Sequence, residues 1–261
     1  MKIGVLGAGN MGRAIILGLL NSKQYNKSDF KIVTATNSSV QNYQQENFLA
    51  SSNWEFLAEC QLIILALLPS DIKKLQDKLA ATFANKQYII ISVAAGVSLK
   101  QLRKIFLNSA VTRVMPNTAC ENNQSMTMIT KEGNKEANEQ ALKIFNLLGK
   151  AVLLNENKIH VFIAICGSAS AYLYYWMQPL MQLALANDVS LEDSRAIIAQ
   201  LLIGGGSNIE RSTLSLSDLE KQVSVPNGTT VEALKIFDQH QLKDIIAQAI
   251  AAVEKRSQEL E

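Results

Sequence analysis

Short apolar runs alternate with longer amphipathic segments over the first 154 residues. Residues 62–68 are apolar throughout, which is typical of a strand buried on both faces of a parallel sheet. The pattern predicts strands at residues 3–6, 31–36, 61–68, 88–93, 111–115, 126–130 and 151–154. Helical periodicity separates them at residues 15–20, 72–84, 99–107 and 135–148. This alternation predicts an α/β fold with a parallel sheet, whose ligand binds at the carboxyl ends of the strands.

The pattern changes at residue 159, after which helical periodicity continues and short strand-like runs do not return. The sequence therefore predicts two domains, residues 1–154 and residues 159–261, the second of them all α-helical. Residues 159–187 contain no Asp, Glu, Lys or Arg, but their glycine, serine, glutamine and proline residues are too polar for a good membrane span. We expect a helix surrounded by other helices, either of the same chain or of a second subunit, and no membrane insertion. Gly204-Gly205-Gly206 predicts a tight helix crossing.

A glycine motif lies where the first predicted strand meets the first helix. Gly7-x-Gly9-x-x-Gly12 follows the apolar run and precedes the helical pattern directly. In this context Gly7 permits a tight turn, Gly9 lets backbone approach a pyrophosphate, and Gly12 lets the helix pack close to the strand. The free N–H groups of the helix start attract phosphate. The motif predicts a Rossmann-like dinucleotide-binding domain.

Composition narrows the class of protein. A net charge of +2 over 261 residues gives no electrostatic reason to expect nucleic acid as a partner. Cys60, Cys120 and Cys166 are an odd set without paired spacing, so we expect reduced thiols in the cytoplasm and no metal. With two histidines in the chain, a histidine-based metal centre is nearly excluded.

Two further segments bear on ligands. Thr36-Asn37-Ser38-Ser39 follows the second predicted strand and contains no acidic residue, which favours NADP modestly over NAD. In residues 225–232, Thr229 and Glu232 fit a capping box after a Pro-Asn-Gly turn. This segment is either a well-capped helix or a helix start that holds a carboxylate. Residues 159–187 contain no lysine, which weakens a hydroxyacid dehydrogenase interpretation.

Several short segments in order resemble the pyrroline-5-carboxylate reductase family nearly from end to end. They are GAGNMG (7–12), SVAAGVSL (92–99), RVMPNT (113–118), GSASAY (167–172), PNGTT (226–230) and the terminal RSQEL (256–260). The resemblance implies NAD(P)H-dependent reduction of 1-pyrroline-5-carboxylate to L-proline, a small-molecule substrate. It also implies that the second domain binds substrate and intertwines into a homodimer, which in many family members assembles into a decamer.

The resemblance also places the ligands residue by residue. It implies cofactor contacts at Leu6, Gly7, Ala8, Gly9, Asn10, Met11, Thr36, Ser38, Asn53, Ala66, Leu67, Leu68, Pro69, Val93, Ala94 and Ala95. It implies substrate contacts at Val225, Gly228, Thr229 and Thr230. The Thr230 hydroxyl would face the ring nitrogen as the catalytic group, and the amides near Thr229 and Thr230 would take the carboxylate. A cyclic imine protonated in solution is already electrophilic, so the protein mainly needs to align the reactants.

The chain departs from the family pattern at positions close to the expected substrate. Val225 and Asn227 stand where Ser and Gly are common, and Leu68 stands where lysine is usual before the proline. Two further segments differ, Ala169-Ser170 and residues 123–125. Loss of a serine hydroxyl from a carboxylate site weakens binding by roughly 1–3 kcal/mol. Two alternatives therefore remain open, an NADP-dependent reductase of another cyclic imine or keto substrate, and a nucleotide-binding paralogue without turnover.

Overall fold

The computed structural model describes residues 2–261, which divide into two compact units. The first unit extends through Ser168 and also includes the terminal segment Val253–Glu261. The second unit is Ala169–Ala252.

The first unit is built on one eight-stranded sheet. The strands are β1 (Ile3–Leu6), β2 (Phe30–Val33), β3 (Leu49–Ser51), β4 (Leu62–Leu65), β5 (Ile89–Ser92), β6 (Ala110–Met115), β7 (Ser125–Thr130) and β8 (Gly149–Leu154). Their order across the sheet is β3-β2-β1-β4-β5-β6-β7-β8. All neighbours pair in parallel except β6 and β7. The predicted α/β, Rossmann-like class is therefore confirmed.

The sheet differs from the expectation in two strands. β7 runs antiparallel to β6, because the link between them is too short for the crossover that parallel neighbours require. β3, a strand of three residues with one residue buried, was absent from the prediction because so short a segment shows no periodicity.

Helices cover the two faces of this sheet. They are α1 (Asn10–Asn21), α2 (Asn37–Gln45), α3 (Pro69–Lys74), α4 (Gln76–Thr82), α5 (Leu99–Ile105), α6 (Lys135–Phe145) and α7 (Ile159–Phe162), and a π-helical turn, Ile163–Gly167, follows α7. The helix predicted at residues 72–84 is two helices, because the backbone leaves helical geometry at Leu75 (φ −107°, ψ 12°).

The core lies on both faces of the sheet. Val5 and Ile64 belong to one buried cluster, whereas their neighbours Leu6 and Leu65 belong to the other. Alternate side chains of a strand point to opposite faces, so two covered faces require the continuous apolar runs seen in the sequence. Each fully buried aliphatic side chain contributes about 1.5–3 kcal/mol to folding.

The second unit is entirely helical. It contains α8 (Ala169–Ala186), α9 (Leu191–Arg211), α10 (Leu216–Val223), α11 (Thr229–Gln239) and the first turns of α12 (Leu242–Leu260). α8 was expected to be surrounded by other helices, yet within one chain none of its residues is buried. The expected tight crossing at Gly204-Gly205-Gly206 is also wrong within one chain, because a Cβ at each position would meet nothing within 4 Å.

One helical stretch, Glu156–Ala186, is long and apolar enough to cross a membrane among the residues that the structure describes. Its mean hydropathy is 1.2 and 17% of that window is buried. A helix whose apolar face is covered by another subunit has the same composition, so the stretch is weak evidence for a span.

Candidate functional site

The carboxyl ends of β1, β2 and β4 meet around Gly7. Its N–H donates to the Val33 carbonyl at 2.9 Å, and its φ of +90° lies in the region that favours glycine. A Cβ here would lie 2.7 Å from the Ala66 carbonyl oxygen. Glycine is therefore required on both conformational and steric grounds, and the turn brings three strand ends to one point.

Gly9 and Gly12 have different surroundings in the same turn. Gly9 is the N-cap of α1 with no side-chain cap, and a Cβ on it would meet nothing within 4 Å. A Cβ on Gly12 would overlap the Gly7 carbonyl oxygen and touch the Ala66 side chain at 3.4 Å. The start of α1, Asn10 and Met11, therefore presents uncapped N–H groups beside open space, a geometry that accepts a pyrophosphate.

The end of β2 leads into a cluster of hydroxyl groups. Thr36 caps α2, and its Oγ1 accepts the Ser39 N–H at 3.2 Å. The same oxygen lies 3.2 Å from Ser38 Oγ and 2.8 Å from Ser39 Oγ. The first turn of α2 contains no acidic residue, so no carboxylate of that turn opposes a phosphate at these hydroxyls.

Three further strand ends place the remaining cofactor candidates at this edge. Asn53 follows β3 and caps a 3₁₀ turn, its Oδ1 accepting the Glu55 N–H at 3.0 Å. The Ala66 N–H donates to the Leu6 carbonyl at 2.9 Å, and the Val93 N–H to the Leu65 carbonyl at 3.0 Å. The structure thus gathers all the predicted cofactor residues of the first unit at the carboxyl ends of β1–β5, including Leu67, Leu68 and Pro69 after β4 and Ala94 and Ala95 after β5.

The structure adds three residues that the sequence pattern did not reveal. The Tyr43 hydroxyl donates to the Ala8 carbonyl at 2.9 Å, which holds α2 against the glycine turn. Arg13 binds the Glu46 carboxylate through its two terminal guanidinium nitrogens, Nη1 at 3.0 Å and Nη2 at 3.2 Å. The hydrogen bond to Glu46 raises the pKa of Arg13, and burial raises the pKa of Tyr43. No local motif marks these contacts, which join residues more than 30 positions apart.

In the second unit, the predicted substrate residues form a turn and a helix start. The Gly228 N–H donates to the Val225 carbonyl at 3.0 Å, closing a turn in which Asn227 has a φ of +62°. A positive φ at the third position is the signature of a type II turn, which Asn tolerates in place of Gly. Val225 is 59% exposed.

The predicted capping box is wrong. Gly228 is the N-cap of α11 without a side-chain cap, Thr229 is the first helical residue, and the Glu232 carboxylate binds Lys235 at 2.7 Å. Because Gly228 occupies the cap position, the Thr229 hydroxyl does not cap the helix. The N–H groups of Thr229 and Thr230 thus start a helix without a side-chain acceptor, which suits a carboxylate ligand.

Burial raises the pKa of the Cys60 and Cys166 thiols and brings that of Cys120 to about 11. Within residues 2–261, no group of three or more His, Cys, Asp or Glu side chains could hold a metal ion.

Comparisons with known proteins cover the whole chain. A family model described as pyrroline-5-carboxylate reductase dimerisation matches residues 156–260, and one described as NADP oxidoreductase coenzyme F420-dependent matches residues 2–96. A pyrroline-5-carboxylate reductase of Vibrio alginolyticus is 30% identical over 100% of this chain and 97% of that protein. One of Staphylococcus haemolyticus is 29% identical over 100% and 98%.

Solved structures share the fold. A pyrroline carboxylate reductase of Plasmodium falciparum with NADP bound has a TM-score of 0.86 at 22% identity, covering 100% of this chain and 98% of that one. A 1-pyrroline-5-carboxylate reductase of Streptococcus pyogenes has a TM-score of 0.82 at 25% identity, covering 98% of each chain.

Proposed function

Since this chain belongs to the pyrroline-5-carboxylate reductase family, we propose that it reduces 1-pyrroline-5-carboxylate to L-proline with NADPH. The observation that carries the proposal is the 30% identity over the full length to a reductase of that name. The protein is thus an NAD(P)H-dependent oxidoreductase that acts on a C=N bond, and the reaction is the last step of proline biosynthesis.

Three features of the first unit support NADP as the cofactor. The uncapped start of α1 and the open space at Gly9 accept the pyrophosphate. The hydroxyls of Thr36 and Ser38, with no acidic residue in the first turn of α2, suit the 2′-phosphate. Bound NADPH would supply the hydride, and the residues after β4 and β5 (Ala66 to Pro69, Val93 to Ala95) would hold the cofactor at the same sheet edge.

The second unit supplies the groups for the substrate. The Thr229 and Thr230 amides at the start of α11 receive the carboxylate, and the Thr230 hydroxyl hydrogen-bonds the ring nitrogen. The protonated imine already carries the proton that its nitrogen needs, so reduction of the C=N bond requires alignment of the ring with the hydride donor rather than a separate acid. Thr230 acts in this scheme by orienting the nitrogen.

A second candidate is reduction of another cyclic imine, and Val225 is the observation that favours it. Its aliphatic side chain is exposed at the turn, where it offers no hydrogen bond to a polar substrate. A substrate with less polar surface near this residue would lose less binding free energy when its surface is buried against Val225.

Turnover of purified protein with NADPH separates the two candidates. The assay follows NADPH absorbance and proline formation with 1-pyrroline-5-carboxylate, and the matched control is 1-pyrroline, which lacks the carboxylate. We expect rapid oxidation with the carboxylate substrate and a kcat/KM at least about tenfold lower without it, the loss of one charge-assisted contact. NADPH binding without oxidation by 1-pyrroline-5-carboxylate would reject the proposal, and a faster reaction with 1-pyrroline would favour the second candidate.

Homo-oligomer formation follows from the dimerisation domain at residues 156–260. We propose an intertwined dimer in which a second subunit covers α8 and the glycine face of α9, both unburied within one chain. The same proposal includes assembly into a decamer and a cytoplasmic location. It also assigns dinucleotide binding to residues 1–154, and substrate binding and dimerisation to residues 159–261. Light scattering coupled to gel filtration measures the assembly.

A further inference from the structure

A buried arginine binds two carboxylates close to the loop that follows β5. The Arg113 side chain has no exposed surface, and its Nη1 lies 2.9 Å from Glu156 Oε1 and 2.7 Å from Glu261 Oε1. Its Nε and Nη2 have no hydrogen-bond partner among the described residues. The guanidinium therefore depends on these two carboxylates, which come from distant parts of the chain.

Each carboxylate is also connected to one part of the loop of residues 93–98. Glu156 Oε1 accepts the N–H of Leu99, the first residue of α5, at 2.7 Å. Leu260, the neighbour of Glu261, packs against Gly96, where an added Cβ would lie 3.0 Å from the Leu260 carbonyl oxygen. The loop of residues 93–98 is thus held at its middle and at its far end by groups that meet on one guanidinium.

The near end of the loop is tied to the same arginine through the sheet. Ser92, the last residue of β5, pairs in register with Arg113 of β6. The terminal segment is held further by His160, whose Nε2 lies 2.9 Å from Glu261 Oε2 and whose Nδ1 lies 2.9 Å from Ser257 Oγ. Arg113, Glu156, Glu261, His160 and Ser257 are called the loop clamp below.

We propose that the loop clamp holds residues 93–98 in the conformation that binds the cofactor. This inference rests on the proposed function, because Val93, Ala94 and Ala95 belong to the NADPH site there. Because the loop is already ordered before NADPH binds, binding does not lose the conformational entropy of the loop. Glu261 is therefore a positioning residue that acts through Leu260 and Gly96.

The test compares Glu261→Ala and Glu261→Gln with the control Glu259→Ala. Glu259 lies in the same terminal segment, but its carboxylate binds exposed Arg256 at 3.0 Å instead of the clamp. Two quantities are measured on the full chain, hydrogen–deuterium exchange of residues 93–98 without cofactor and the Kd for NADPH.

We expect faster exchange of the loop and a Kd raised about tenfold in Glu261→Ala, the fold-change that one charge-assisted hydrogen bond produces. Glu261→Gln, which retains an acceptor oxygen, recovers part of both changes, and Glu259→Ala matches the wild type. At saturating NADPH, the kcat of Glu261→Ala stays within about twofold of the wild-type kcat, because the free energy of ordering the loop affects NADPH binding and not the later chemical step.

Loop exchange in Glu261→Ala equal to that of Glu259→Ala would overturn the inference, as would faster exchange with an unchanged Kd. Failure of the proposed function is a separate result, because it would appear as a wild-type protein that does not bind or oxidise NADPH. The exchange measurement needs no cofactor, so it reports on the clamp in either case.

Discussion

Gly9 and Gly12 lie three positions apart, yet alanine at each should produce a different kind of defect. A Cβ at Gly9 would enter open space in front of α1, whereas a Cβ at Gly12 would overlap the Gly7 carbonyl oxygen. Gly9 has φ −73° and ψ −161°, which alanine adopts without strain. We therefore expect Gly9→Ala to affect ligand binding and Gly12→Ala to affect folding.

The magnitudes follow from these contacts. Alanine is a poorer N-cap than glycine, so Gly9→Ala lowers the free energy of unfolding by about 1 kcal/mol at most, or roughly 2–4 °C in Tm. A methyl group in front of α1 displaces the pyrophosphate from one or two N–H groups, which raises the Kd for NADPH about 10- to 100-fold. Gly12→Ala overpacks the turn and costs about 1–3 kcal/mol of stability, with a correspondingly larger fall in Tm.

Calorimetric titration with NADPH and a thermal melt of the same preparations measure both effects. The wild type serves as the control, and each variant checks the other. A Gly9→Ala protein that binds NADPH as tightly as the wild type would show that the pyrophosphate does not lie at this helix start. A Gly12→Ala protein with an unchanged Tm would refute the packing argument.

Two further predictions concern the second unit and the buried thiols. Thr230→Val should lower kcat/KM about 10- to 100-fold while leaving the Kd for NADPH unchanged, and an unchanged kcat/KM would remove Thr230 from the mechanism. Folding raises the pKa of Cys120 from 9.0 to about 11, so the unfolded thiol loses its proton first and stability falls as pH rises from about 9 to 11. Denaturant titrations should show an extra loss of up to about 1.4 kcal/mol per pH unit in that window, absent from Cys120→Ala; equal slopes in the two proteins would contradict it.

The strands and the glycine turn could be predicted because their causes are local. A strand buried on both faces must be apolar at every position, and the run at residues 62–65 shows this directly. The turn at Gly7 needs a positive φ, which glycine alone adopts freely. The capping box failed for a local reason as well, because Gly228 competes with Thr229 for the cap position.

Contacts between distant residues were decided only by the tertiary structure. The hydrogen bond from Tyr43 to Ala8 and the ion pairs of Arg113 with Glu156 and Glu261 join residues 35 to 148 positions apart. No periodicity or spacing encodes such pairs, since they form only after the sheet has brought its strand ends together. The single chain likewise leaves α8 and the three glycines of α9 uncovered, although the sequence predicted close packing there. The sequence by itself determined the fold class and the glycine turn, because these follow from local backbone preference and burial. Which side chains meet at Arg113, close to the loop of residues 93–98, was decided by the packing of the folded chain.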